Sequence, residues 1–100
     1  MKKVFISQPM SDKTDEQIKN ERAKAIEIIK LRFPGEEIEV IDSFFEGAPH
    51  DAKPLWFLGK SFQLLSTADI AYFVNGWDRY RGCSMEHKAA REYGIKVIEE

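Results

Sequence analysis

The chain has 100 residues, 43% of them hydrophobic, with 15 basic against 17 acidic side chains and a formal charge of −2. That length makes a single domain, residues 1–100, and the balanced charge leaves no basic stripe for a nucleic-acid polymer. The apolar runs fall far short of a membrane span, no signal-peptide pattern follows Met1, and a lone cysteine excludes an internal disulfide and a multi-cysteine zinc site, so a cytoplasmic protein with no metal or cofactor is the expectation.

Lys3-Val4-Phe5-Ile6-Ser7 reads as a first strand, broken by Gln8-Pro9-Met10-Ser11-Asp12. Thr14-Asp15-Glu16-Gln17 has the form of a capping box, and Ile18, Ala25, Ile29 and Phe33, with Ile26 beside them, fall on one face of the helix it opens. Pro34-Gly35 stops that helix. Glu37 to Ile41 alternates polar and apolar residues, as an edge strand does, and Asp42-Ser43 closes it. Phe44 to Lys53 reads as a loop. Pro54 suits the first turn of a second helix, whose core stripe would be Leu55, Leu58, Phe62 and Leu65. Asp69 to Val74 reads as a third strand, Ser84 to Tyr93 as a third helix ended by Gly94, and Ile95 to Ile98 as a fourth strand.

The alternation β-α-β-α-β-α-β predicts an α/β fold: a Rossmann-like (flavodoxin-like) parallel sheet of four strands in the order 2-1-3-4, with helices on both faces. The switch point then lies between strands one and three. The loop Ser7–Ser11 and the polar loop Gly76–Glu86 should share one pocket there, outside the carboxyl ends of the strands. Trp56, Phe57 and Leu64 exceed what one core face of the second helix needs, which predicts a homodimer or larger assembly through that helix.

Several residues of the two loops carry chemistry. Placed in the first turn of its helix, Glu86 is either a surface carboxylate favoured by the helix dipole or a nucleophile aimed into the pocket. A carboxylate suits attack at an anomeric carbon, where the transition state is positively charged; Asp69 and Asp78 are then the candidates for a second acid. Arg79 and Arg81 are either solvated or a clamp on a phosphate, to which Ser7, Ser11 and the amides after Gln8 could add donors. Cys83 and His87, four apart, could share a helix face as a Cys–His pair, although a lone cysteine is more often a small core residue. His50 has no ligand partner at a useful spacing.

These residues resemble the nucleoside 2-deoxyribosyltransferase superfamily, in particular its short phage and bacterial members. Val4-Phe5-Ile6-Ser7-Gln8-Pro9-Met10 is similar to that family's opening strand and Gly-Pro loop, and Ala68-Asp69-Ile70 to the Ala-Asp that starts its third strand. Gly82-Cys83-Ser84-Met85-Glu86-His87-Lys88-Ala89-Ala90, followed by Gly94-Ile95-Lys96-Val97, resembles Gly-x-x-x-Glu-x-x-x-Ala and then Gly-Lys-Pro-Val. The resemblance implies a Rossmann-like fold and cleavage or transfer of the N-glycosidic bond of a 2-deoxynucleoside or its 5′-monophosphate. Glu86 would be the nucleophile and Asp69 a base-side acid. Ser7, Gln8, Pro9, Met10, Asp78, Arg79, Arg81, Gly82 and Ser84 would bind the nucleoside or nucleotide. A non-catalytic nucleotide-binding module of the same fold is the alternative. Two positions depart from the family: Gln8 replaces the usual glycine, and Phe5 stands where many relatives carry a tyrosine whose hydroxyl supports the glutamate.

Overall fold

The computed structural model describes residues 1–43 and 49–100; Phe44 to Ala48, the first half of the predicted loop, lie outside the described residues. The elements run β1 (Lys2–Ser7), α1 (Asp15–Arg32), β2 (Ile38–Val40), α2 (Pro54–Leu65), β3 (Ile70–Phe73), a short 3-10 turn (Trp77–Arg79), α3 (Arg81–Glu92) and β4 (Lys96–Glu99). The sheet is four-stranded and all parallel, in the order β2-β1-β3-β4, as the alternation predicts. Among the described residues no helix is long and apolar enough to cross a membrane.

Strand alternation divides the core into two layers. Val4 and Ile6 of β1 and Ile70 and Tyr72 of β3 pack with Ala25 and Ile29 of α1 on one face. Phe5, Ala71 and Phe73 pack with Leu65 of α2 and Ala90 of α3 on the other. Ser7, two residues beyond Phe5, therefore points to the α2–α3 side. The connections of β1 and β3 leave toward opposite faces, and the two strands pair in register as far as Ser7↔Phe73. The predicted switch point is at that pair.

The capping box is complete: Thr14 Oγ1 accepts from the Gln17 amide at 3.1 Å and Gln17 Oε1 from the Thr14 amide at 2.9 Å. Arg22, on the buried side of α1, donates to the Ile41 carbonyl at 2.7 Å and to Ser43 Oγ at 3.2 Å, fastening the segment after β2 to the helix. Burial lowers the Arg22 pKa, and the charge of Asp42 opposes that shift.

Two expectations are corrected. The core stripe of α2 is not Leu55, Leu58, Phe62 and Leu65: Leu55 is 75% exposed and Phe62 39%, while Leu65 alone is fully buried and Leu58, Ser61 and Leu64 are half-buried. The buried stripe is rotated, with Ser61 in its middle. In turn, α3 begins at Arg81 rather than Ser84, because Gly82 is taken into the first turn and the Ser84 amide already donates to the Tyr80 carbonyl at 2.9 Å. Glu86 thus stands in the second turn, beyond the free amides of the helix start.

A buried carboxylate at the switch point

The peptide after β3 turns at Gly76, whose φ of 92° is the left-handed region that glycine enters without strain. The 3-10 turn that follows is pinned by Trp77, which packs on Phe73 with ring centroids 5.6 Å apart and stacks on His87 at 3.9 Å, the rings 8° from parallel. His87 is buried, meets Phe73 edge-on, and has its Nε2 2.9 Å from Glu99 Oε2. This aromatic packing sets α3 against the sheet and directs Glu86 toward the end of β1.

Glu86 is 6% exposed, and Ser7 Oγ donates to its Oε1 at 2.7 Å. Ser61 of α2 adds a second hydroxyl on the facing helix, whose effect is to favour the charged carboxylate. Among the described residues no lysine, arginine or histidine pairs with it. Desolvation raises the Glu86 pKa above the ordinary glutamate value, and the two serine hydroxyls partly offset that shift by stabilising the charged form. The surface-carboxylate reading of Glu86 is therefore excluded. Ser7 lies two residues beyond Phe5 on the same face of β1, which is what brings its hydroxyl to the carboxylate.

The other expected site residues separate into groups. Ser7, Gln8 and Pro9 are buried at the end of β1, whereas Met10 is 36% exposed. Gln8 Nε2 donates to the Ile18 carbonyl at 3.0 Å, which ties the loop to the first turn of α1; its Oε1 is buried with no partner among the described residues. Gly82 and Ser84 are half-buried in the first turn of α3, and Asp78, Arg79 and Arg81 are exposed at the same end of the sheet. Asp69 is not with them. It precedes β3, and its Oδ2 accepts from the Lys3 amide at 2.8 Å, at the opposite end of the strands from Ser7 and Glu86. Its expected place beside Glu86 is corrected: an acid at the start of a parallel strand cannot reach a site at the strand's carboxyl end.

The Cys83–His87 pair does not form, since His87 turns to Trp77 and Glu99 while Cys83 is buried beside Ser7 and Glu86. Burial pushes the thiol up to about 11, so at neutral pH it is protonated. Ser61 escaped the sequence reading, although a serine interrupting an otherwise apolar helical stripe was a visible signal. Among the described residues no group of three or more His, Cys, Asp or Glu side chains is arranged to hold a metal ion. No family model matches the chain, and neither a curated protein nor a solved structure matches it significantly.

Proposed function

We propose that the chain is a deoxyribosyltransferase-like enzyme that cleaves or transfers the N-glycosidic bond of a 2-deoxynucleoside or its 5′-monophosphate, with Glu86 as nucleophile. The observation that carries this reading is a buried carboxylate held by serine hydroxyls, with no cation beside it among the described residues, at the switch point of a parallel sheet. Unbalanced negative charge in a desolvated site favours a transition state that develops positive charge at the anomeric carbon. A raised pKa also makes a carboxylate a better nucleophile than an ordinary glutamate. Glu86 attacks the anomeric carbon and the base leaves with the bonding electrons, taking a proton from solvent or from the Asp78 side. Water or a second base then displaces the ester and regenerates the carboxylate. Arg79 and Arg81 are free to meet a 5′-phosphate at the rim. Asp69 has no part in this scheme.

Chromatography of deoxynucleosides and their monophosphates after incubation tests the reading. Wild type should release free base, and Glu86→Ala and Glu86→Gln should lose activity by on the order of a thousandfold or more. Unchanged cleavage in both variants removes Glu86 from the mechanism. The alternative, a nucleotide-binding module without catalysis, draws support from the depth of Glu86 and from the distant position of Asp69. Its signature is a thermal shift with deoxynucleotides in a wild type that releases no base.

We further propose that two copies associate through α2. Leu55 and Phe62 are exposed on a helix whose one charged residue is Lys60, and a second copy presents the same apolar side chains for a two-fold contact. Sedimentation should show a dimer at micromolar concentration; a monomer there refutes the proposal.

A further inference from the structure

Helices α2 and α3 meet along a seam whose spacing can be followed residue by residue. Leu58 Cδ1 lies 3.9 Å from the point a β-carbon on Gly82 would occupy. Leu65 shares a buried cluster with Ala90. Between these contacts, steps of three and four residues bring Ser61 on α2 opposite Glu86 on α3. The side chains flanking the pair in the seam are apolar or glycine, so Ser61–Glu86 is the polar step in it. From the sheet side Ser7 reaches the same carboxylate.

Hydrogen bookkeeping gives the pair a direction. A serine hydroxyl has one hydrogen to donate and lone pairs with which to accept. Ser7 spends its hydrogen on Glu86 Oε1 at 2.7 Å and has none left for a second acceptor. The Ser61 hydroxyl, set opposite Glu86 by the register of the seam, favours the ionised form of the carboxylate, as a donor does. Cys83 on α3, Ser7 on β1 and Ser61 on α2 are the polar groups facing Glu86, and Cys83 is the only titratable one among the described residues.

We infer that Ser61 is a positioning residue which, with Ser7, fixes the Glu86 carboxylate between β1 and α2 as the common acceptor of two serine hydroxyls. Its consequence for turnover rests on the reading of Glu86 as nucleophile; the clamp itself does not. Displacing α2 from α3 removes one of the two donors and frees the carboxylate to rotate.

The test is the titration of the Glu86 carboxyl, followed by side-chain carbon NMR in substrate-free protein, for wild type, Ser61→Ala, Ser61→Thr and Ser7→Ala. Loss of one hydrogen bond to a charged group should move the midpoint upward by about one pH unit in Ser61→Ala and in Ser7→Ala. Ser61→Thr keeps the hydroxyl and should restore the wild-type midpoint. If base release is measurable, its pH profile should move by the same amount, with kcat falling more than KM changes. A Glu86 midpoint unmoved in Ser61→Ala overturns the inference, whatever happens to turnover. A midpoint that moves in a protein without turnover sustains the clamp while the proposed enzyme fails. Circular dichroism of each variant confirms that the folded state is being titrated.

Discussion

Burying Glu86 against hydroxyls rather than a cation gives the protein a stability profile that one substitution can isolate. Its folded pKa lies above the ordinary glutamate value of 4.5, so between these two points the folded state holds a proton that the unfolded chain has lost. The contribution of this group is therefore fully present below the unfolded value and is lost as pH rises through the folded one. Glu86→Gln removes the titration and keeps a shape that the serines can still bind. We expect Glu86→Gln to melt a few degrees above wild type at pH 8, with the gap closing toward pH 4.5, in paired calorimetric scans. A constant gap across that range would assign the effect to packing. The proposed mechanism predicts the opposite slope for activity: attack by Glu86 would require the ionised carboxylate, so release of base, measured across the same range, should rise with pH through the folded pKa.

At the scale of the elements, the capping box predicts that Thr14→Ala destabilises the protein by about 1 kcal/mol in urea unfolding. The rotated stripe of α2 gives a sharper contrast. Leu65→Ala, at a site 3% exposed, should cost roughly 2–5 kcal/mol, whereas Leu55→Ala, at a site 75% exposed, should change stability of the monomer by about 0.5 kcal/mol or less and weaken self-association. The face of α2 was misread because Leu, Trp and Phe occur all round that helix, leaving periodicity little contrast. The serine in the true stripe, Ser61, faces the α3 side where Glu86 stands. The start of α3 was misread for a related reason. Tyr80 is not a usual cap and Gly82 looks like a breaker, so Ser84 drew the helix start toward itself and put Glu86 one turn too near the end. By contrast α1, with its capping box and the spaced Ile18, Ala25 and Ile29, was legible because cap and periodicity agree. Asp69 could have been placed from the sequence, since a residue preceding a strand lies at its amino end.

For the whole molecule, alternation of strand and helix patterns was enough to give the sheet order, because right-handed crossovers leave few alternatives. The partnership of Ser7 with Glu86 was accessible only as two loops expected at the same end of the sheet; which atoms meet depends on side-chain directions that follow from the packing. The same topology governs the order in which the protein assembles. β1 is an inner strand, yet its contacts with the start of β3 span 66 residues, and the Ser7–Glu86 bond spans 79. Such long loops must close before their contacts contribute, which slows folding relative to a helical bundle of similar size. A fragment of residues 1–43 has the buried faces of Val4, Phe5 and Ile6 but none of β3, and its circular dichroism should be that of an unfolded or aggregating chain. During synthesis this Val-Phe-Ile run emerges ahead of β3 and waits, exposed, for a partner made 66 residues later. The bond from Ser7 to Glu86 forms only when α3 has docked, so a chain made as far as β3 holds every residue of β1 and lacks the partner of Ser7.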